Sequence, residues 1–187
     1  MGNICRNKLV QMLDEAVDLG DPKAITEKIA GTLSAAFERG DFELPEEFTR
    51  PCTDCYARRL LHHDEERGYT AVVMTWGVGQ ATPLHDHAGM WCVEGVLSGR
   101  VDVTRYNLTG RQNGTYEFER VDQIQAGVGA TGSLIPPYEY HVLGNALSDA
   151  PSITLHVYGG EMNHCCIYEP QSDGTYQQVK KALSYTA

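Results

Sequence analysis

Apolar residues follow a helical spacing in the first forty residues of the chain. An apolar position every three or four residues is typical of a helix with one buried face. The first predicted helix ends before Gly20, and the second begins at Asp21 and Pro22, which suit an N-cap and a first helical turn. It ends at Gly40. The positions that predict the two helices are Leu9, Val10, Met12, Leu13, Ala16, Val17, Ile25, Ile29, Leu33 and Phe37.

Beyond about Leu61 the pattern changes to short apolar runs separated by turn residues, which predicts strands in a sandwich or barrel. The pair Asn113 and Gly114 lies between two of these runs and is a strong hairpin signal. The stretch Tyr176–Leu183 fits a strand or a helix, and its Gln, Lys and Ala residues favour a helix. The predicted strands are Tyr69–Trp76, Trp91–Leu97, Val101–Leu108, Thr115–Val121, Gly132–Ile135, Ile153–Val157 and Cys165–Tyr168.

Composition narrows the class of protein. A chain of 187 residues predicts one domain over residues 1–187, with a helical segment at about 1–40. The net charge of −10 disfavours nucleic acid and anionic membranes as partners. No apolar run reaches the length of a membrane span, and the N-terminus lacks the apolar core of a secretion signal. Six cysteines without such a signal indicate free thiols in a cytoplasmic protein. Oligomeric state has no signature in the sequence.

His85, Asp86 and His87 form the most informative motif. Side chains alternate along a strand, so a His-x-His pair on a strand places both imidazoles on one face. Two neutral imidazoles at that spacing can bind one transition metal. The alternative is a pair of ordinary polar residues at a strand end.

The surrounding spacing resembles the two motifs of the cupin superfamily. The first motif runs through Gly79, His85, His87, Cys92 and Gly99, and the superfamily usually has Glu at the position of Cys92. The second runs through Pro136, His141 and Asn145. The resemblance implies a mainly β, cupin-type, jelly-roll-like barrel with N-terminal helices, in which His85, His87 and His141 converge. Such a site has three neutral imidazoles and no carboxylate, and the spacing leaves Zn, Ni, Mn and Cu open as its metal.

Four separated elements between about residues 56 and 160 resemble the cysteine dioxygenase family of thiol dioxygenases. They are YARRL (Tyr56 to Leu60), WGVGQATPLHDH (Trp76 to His87), Cys92, and TLHVYGG (Thr154 to Gly160). The resemblance implies that His85, His87 and His141 bind Fe(II), and that Tyr56 and Arg58 contact substrate, with Arg58 binding the substrate carboxylate. It implies that Tyr158 hydrogen-bonds oxygen or substrate, that His156 orients Tyr158, and that Thr154 orients His156. Cys92 and Tyr158 match the residues that form a thioether in part of the family.

The implied reaction is the Fe(II)-dependent addition of both atoms of O₂ to L-cysteine, which gives cysteine sulfinic acid. The pair Gly159 and Gly160 resembles a bacterial branch that includes 3-mercaptopropionate dioxygenases, so a small thiol carboxylate of that kind is the alternative substrate. Gln commonly replaces the arginine in that branch, and Arg58 therefore favours cysteine. Alternatives in other classes are a non-enzymatic metal-binding cupin and a cupin isomerase or hydrolase that uses another metal.

Several residues carry competing interpretations. Taken alone, Arg58 would more often form a surface ion pair, with Asp64 or Glu65. Cys52 and Cys55 form a CxxC motif, which fits half a zinc site near His62 and His63 less well than it fits ordinary thiols. Cys165 and Cys166 follow the proposed catalytic strand and are expected near the pocket mouth.

Overall fold

The computed structural model describes residues 6–186. Ten strands form two five-stranded antiparallel sheets. The first sheet has the order β1-β2-β8-β3-β6 and the second the order β7-β4-β5-β10-β9. The strands are β1 Ala57–Asp64, β2 Tyr69–Trp76, β3 Cys92–Ser98, β4 Arg100–Gln112, β5 Thr115–Gly127, β6 Thr131–Leu134, β7 His141–Asn145, β8 Ser152–Tyr158, β9 His164–Pro170 and β10 Tyr176–Ala182. The mainly β, cupin-type prediction with N-terminal helices is confirmed.

Three helices precede the sheets: α1 Arg6–Val17, α2 Pro22–Glu38 and the short α3 Glu46–Thr49. The Asp21 carboxylate caps α2 by accepting from the Ala24 amide at 2.9 Å, as the sequence predicts. Helix α2 crosses β3 so closely that a Cβ on Gly95 would lie 2.9 Å from the Phe37 ring. The part of the predicted helical segment before Arg6, with Cys5, lies outside the described residues. None of the described helices is long and apolar enough to cross a bilayer.

The first sheet is buried on both faces. In β2, Tyr69, Ala71 and Val73 pack with the helices. The alternate residues Val72, Met74 and Trp76 face the second sheet, where they pack with residues such as Val101 and Leu143. The two-residue period of a strand therefore divides one apolar run between two cores.

Strands β4 and β5 form a long hairpin. Gln112 pairs with Thr115, so Asn113 and Gly114 are the two loop residues. Both have positive φ, at 53° and 82°, as the predicted type of turn requires. The strands extend several residues beyond the predicted ranges because the hairpin continues past the core with exposed side chains.

Three sequence-based predictions differ from the structure. The preference for a helix at Tyr176–Leu183 is wrong, because β10 pairs with β9 along its whole length and pairing overrides a modest helix propensity. Strands β1 and β7 were not predicted, because they carry too many polar residues to show an apolar run. His85 and His87 were expected on a regular strand, but they lie in an irregular segment between β2 and β3. There His85 makes isolated bridges to His141 and Ile167.

Candidate active site

Three imidazoles converge where the segment between β2 and β3 meets β7. The ring centroids of His85, His87 and His141 lie 4.6 to 5.1 Å apart, and one ligand atom from each lies within 4.8 Å of the others. Both ring nitrogens of His87 and of His141 are buried with no hydrogen-bond partner among residues 6–186. Buried polar atoms normally have a partner, so this cluster has the unsatisfied donor atoms that a metal site needs.

Burial keeps two of these imidazoles neutral. It lowers the pKa of His85 to about 3, assisted by His141, although solvent in the pocket reaches part of the ring. Burial also lowers the pKa of His87 well below its usual range. The Nδ1 of His85 lies 3.1 Å from the Pro83 carbonyl, so this nitrogen carries the proton of a neutral ring. The Nε2 of His85 is then free to bind a metal.

Two carboxylates to which the sequence analysis assigned no role hold the histidine segment in place. Asp86 points away from the cluster and accepts from the Cys166 amide at 2.8 Å and from the Tyr168 hydroxyl at 3.0 Å. Glu139 accepts from the His87 amide at 2.8 Å and lies 3.4 Å from His87 Nδ1. Carboxylates in this position fix the orientation of metal-binding histidines. Asp86 was visible between the two histidines, whereas no spacing rule links Glu139 to His87.

A third carboxylate lies beside the imidazoles, although the candidate ligand group of His85, His87 and His141 does not include it. Glu94 Oε1 is 3.3 Å from His141 Nε2 and 3.2 Å from His156 Nδ1. Burial alone would raise the Glu94 pKa, but His141 and His156 outweigh it and lower the pKa well below its usual range. The cupin motif usually has its Glu at the position of Cys92, and Glu94 lies two residues further along the same strand. In the sequence, Glu94 could have been noticed as the single acidic residue within an apolar strand.

Two of the three imidazoles, His85 and His141, line a cavity of about 380 Å³. Arg58, from β1, lines the same cavity and is only 6% exposed. Its guanidinium donates to the Met162 carbonyl at 2.9 Å and the Ser184 carbonyl at 3.2 Å. Asp64 instead pairs with Arg67, and no acid among residues 6–186 forms an ion pair with Arg58. A buried cation without a counter-ion favours binding of an anion.

Residues after β10 complete the arginine end of the cavity. Thr186 pairs with the main chain of Arg58 in both directions, at 2.6 and 3.0 Å, and the guanidinium lies 5.6 Å from the centre of the Tyr185 ring. Tyr56 also lines the cavity and packs on Trp76, with ring centroids 4.6 Å apart. Tyr56 was identifiable from the sequence, but the C-terminal residues were not.

Strand β8 contributes a row of polar groups. His156 and Tyr158 line the cavity, with ring centroids 6.0 Å apart. Thr154 lies behind them: its hydroxyl is 2.7 Å from His156 Nε2 and accepts from Trp76 Nε1 at 2.9 Å. Burial raises the pKa of Tyr158 well above its usual range, so its phenol remains a donor at neutral pH.

Cys92 and Tyr158 are direct cross-strand partners between β3 and β8. Side chains in such pairs leave the sheet on the same face, with Cβ atoms about 5 Å apart. Both residues are buried, and burial raises the Cys92 pKa well above its usual range. The structure therefore brings together the two residues that the predicted thioether requires.

The other described cysteines are also free thiols. Cys55 and Cys165 line the cavity, and burial raises the pKa of Cys165 to about 11. Neither Cys52 nor Cys55 belongs to a group of three or more candidate metal ligands within residues 6–186. The structure thus gives no support to a zinc site at the CxxC motif.

Comparison with known proteins agrees with this arrangement. The family profile described as cysteine dioxygenase type I matches residues 7–171. The chain belongs to this family. Among curated relatives, cysteine dioxygenase type 1 of Danio rerio is 23% identical over 136 residues. That alignment covers 67% of this chain and 61% of the relative.

Solved structures resemble the fold at a distance. The protein TT1209 from Thermus thermophilus has a TM-score of 0.47 at 19% identity, covering 62% of this chain and 93% of that protein. An uncharacterised Klebsiella pneumoniae protein with a double-stranded β-helix domain has a TM-score of 0.46 at 19% identity, covering 60% of this chain and 79% of that protein.

Proposed function

We propose that this member of the cysteine dioxygenase type I family is an Fe(II)-dependent thiol dioxygenase that converts L-cysteine to cysteine sulfinic acid. One observation carries the proposal: His85 and His141 of the imidazole cluster line the same cavity as the buried Arg58 guanidinium. A small thiol carboxylate has a sulfur that suits the imidazole end of this cavity and a carboxylate that suits the Arg58 end. Family membership supports the class of reaction.

The reaction balances without a further reductant. A thiol and one O₂ give a sulfinic acid, in which sulfur loses four electrons and the two oxygen atoms gain them. Fe(II) held by His85, His87 and His141 would supply the redox chemistry that lets a thiolate react with O₂. Imidazole nitrogens without hydrogen-bond partners, as at His87 and His141, are the kind of ligand that this ion requires.

The protein side chains orient the substrate. Arg58 is held by two main-chain carbonyls and would pair with the substrate carboxylate through its remaining N–H groups. The Tyr158 hydroxyl keeps its proton and would donate a hydrogen bond to the substrate or to oxygen. His156, bonded to Thr154, would position Tyr158. The thioether between Cys92 and Tyr158 would form by loss of the thiol hydrogen and one ring hydrogen, with O₂ as the oxidant.

The Gly159–Gly160 pair has a packing explanation that does not involve substrate. A Cβ at Gly159 would overlap the Trp91 indole, and one at Gly160 would meet the Met90 sulfur. These glycines therefore carry little weight for 3-mercaptopropionate, whereas Arg58 serves any thiol carboxylate. Cysteine remains the proposed substrate on the family match.

We also infer that the reaction takes place in the cytoplasm, with the thiol and O₂ as the only proposed partners. The free state of the described cysteines supports a reducing compartment. The net charge of −10 gives no reason to expect nucleic acid.

The test is O₂ uptake by anaerobically Fe(II)-loaded protein with L-cysteine, 3-mercaptopropionate or cysteamine, with sulfinate measured by mass spectrometry. We expect the highest kcat/KM with L-cysteine, no uptake by Zn-loaded protein, and a mass loss of two hydrogens after turnover. A higher kcat/KM with 3-mercaptopropionate would overturn the substrate, and absence of thiol-dependent uptake would overturn the dioxygenase.

A further inference from the structure

Arg58 lies at the open edge of the first sheet. Strand β1 is the outermost strand of that sheet, with β2 as its neighbour, so the other edge of β1 has no strand partner among residues 6–186. Main-chain groups on such an edge are free to pair with another part of the chain. Thr186 takes up both groups of Arg58. Its amide donates to the Arg58 carbonyl at 2.6 Å, and its hydroxyl accepts from the Arg58 amide at 3.0 Å.

The type of residue matters at position 186, because one of these two contacts uses the side chain. In a regular pair of strands a main-chain carbonyl would accept from the Arg58 amide, whereas here the Thr186 hydroxyl does so. Valine has the shape of threonine but offers no acceptor. Ser184 differs in this respect, because its main-chain carbonyl accepts from the Arg58 guanidinium, and every residue has a carbonyl.

The contact of Thr186 and the contact of Ser184 are linked through residues 183–186. This segment follows β10 of the second sheet and reaches β1 of the first sheet. At its start, the Leu183 amide donates to the Asn163 carbonyl at 2.8 Å, and at its end Thr186 pairs with β1.

Burial holds this segment only weakly, since Ser184 is exposed and the other three residues are half-buried. The hydrogen bonds at its two ends therefore fix its path. The Ser184 carbonyl lies between them, so the direction of the guanidinium depends on the Thr186 contact.

We propose that Thr186 is a positioning residue for the substrate carboxylate: its hydroxyl holds residues 183–186 against β1 and so fixes the Arg58 guanidinium in the direction that the carboxylate needs. The inference rests on the proposed function, in which Arg58 binds that carboxylate. A binding group that is already held in place loses less freedom when the substrate binds. Loss of the contact should therefore weaken recognition of the carboxylate and leave the imidazole end of the cavity as it is.

A different role for Thr186 would be to stabilise the fold alone, and substrates with and without a carboxylate separate the two roles. Partial unfolding reduces the number of active molecules, which lowers the activity towards every substrate equally. A misplaced guanidinium lowers kcat/KM only for a substrate that has a carboxylate. L-Cysteine has this group and cysteamine lacks it.

The experiment compares wild type with Thr186→Val, Thr186→Ser and the control Thr109→Val. The control removes a threonine hydrogen bond to a main-chain carbonyl in the exposed β4–β5 hairpin. We expect Thr186→Val to lower kcat/KM for L-cysteine about three- to tenfold through a higher KM, as fits the loss of one hydrogen bond. For cysteamine the change should be less than about twofold, which is below the effect of one such bond. Thr186→Ser keeps the hydroxyl and should match wild type, as should Thr109→Val.

An equal fall of kcat/KM for both substrates would make Thr186 a residue of the fold alone, and no fall for L-cysteine would remove its role altogether. Either result would overturn the proposal. If Thr186→Val does not fold, as judged by its urea unfolding curve, Thr186→Ala is judged by the same readouts.

A binding measurement keeps the result independent of the reaction. Isothermal titration calorimetry of Zn-loaded protein without O₂ gives the Kd for 3-mercaptopropionate and for cysteamine. We expect Thr186→Val to raise the first Kd about three- to tenfold and to leave the second unchanged. That shift, in a protein whose Fe(II)-loaded form shows no thiol-dependent O₂ uptake, would overturn the dioxygenase and retain Thr186 as a positioning residue. Uptake with L-cysteine and equal Kd values in wild type and Thr186→Val would do the reverse.

Discussion

Carboxylate side chains hold the imidazole end of the cavity, whereas main-chain carbonyls hold the arginine end. At the first end, the Glu139 carboxylate accepts from the main-chain amide of His87, and Glu94 lies against the His141 and His156 rings. At the second, the carbonyls of Met162 and Ser184 accept from Arg58. One end therefore has groups suited to bind a cation, and the other has a guanidinium whose other N–H groups are suited to bind an anion.

The difference lies in what each end needs from the chain. Side chains at the imidazole end must be of particular types, because few side chains besides imidazole, carboxylate and thiolate bind a metal ion. The carbonyls at the arginine end could come from any residue, so their positions depend only on the path of the backbone. A substitution can therefore remove one end and leave the other intact.

The largest expected effect is loss of the metal end through His141→Ala. Loss of an outer partner lowers metal affinity about 10- to 100-fold, so loss of a ligand should raise the Co(II) Kd by more than about 100-fold. Isothermal titration calorimetry of the metal-free protein with Co(II) measures this Kd.

The matched control for this loss is His164→Ala, which removes an imidazole bonded to Asn163 outside the cavity and should leave the Co(II) Kd unchanged. If His141→Ala bound Co(II) as tightly as wild type, His141 would not be a ligand of the metal.

Arg58→Met tests the opposite end. Hydrogen bonds to charged groups contribute about 1.5 to 3 kcal/mol, so kcat/KM for L-cysteine should fall about 10- to 100-fold. With cysteamine, which lacks a carboxylate, it should change by less than about threefold, and the Co(II) Kd should not move.

Arg59→Met, at the neighbouring position on the other face of β1, is the control for Arg58→Met. An equal fall of kcat/KM for cysteamine and L-cysteine would mean that Arg58 supports the fold of the cavity and does not bind the carboxylate.

This contrast also explains how far the sequence could be interpreted. His85, His87 and His141 were identifiable as candidate ligands because metal binding restricts residue type and spacing. Arg58 was identifiable only through the family resemblance, since its partners lie 104 and 126 positions away. Nothing in the pattern shows that residues after β10 reach it, and for β10 itself a helix was preferred to a strand.

Glu94 and Glu139 were missed for a related reason. The motif places a glutamate at position 92, and a shift of one strand repeat keeps the side chain on the same face while changing which imidazole it meets. Glu139 contacts His87 across 52 positions. Both contacts depend on which strands become neighbours, which periodicity alone does not determine.

Of the two ends, only the imidazole end should make the free energy of unfolding depend on pH in acid, because arginine stays charged throughout the acid range. The pKa of His85 is about 3 in the fold against a usual 6.5, so the unfolded chain binds more protons between these values. The free energy of unfolding is therefore highest above pH 6.5 and falls as pH decreases towards 3. Each pH unit costs about 1.4 kcal/mol per histidine of this kind.

Urea unfolding of the metal-free protein at pH 7 and pH 5 measures this smallest effect. Burial raises the pKa of Glu139, which acts in the opposite sense, so His85→Gln is the comparison that isolates His85. Its loss of stability between the two pH values should be smaller than that of wild type by about 2 kcal/mol, from the same slope. An equal loss of stability in both proteins would mean that His85 is as easily protonated in the fold as in the unfolded chain. Burial would then not protect the imidazole end from protonation.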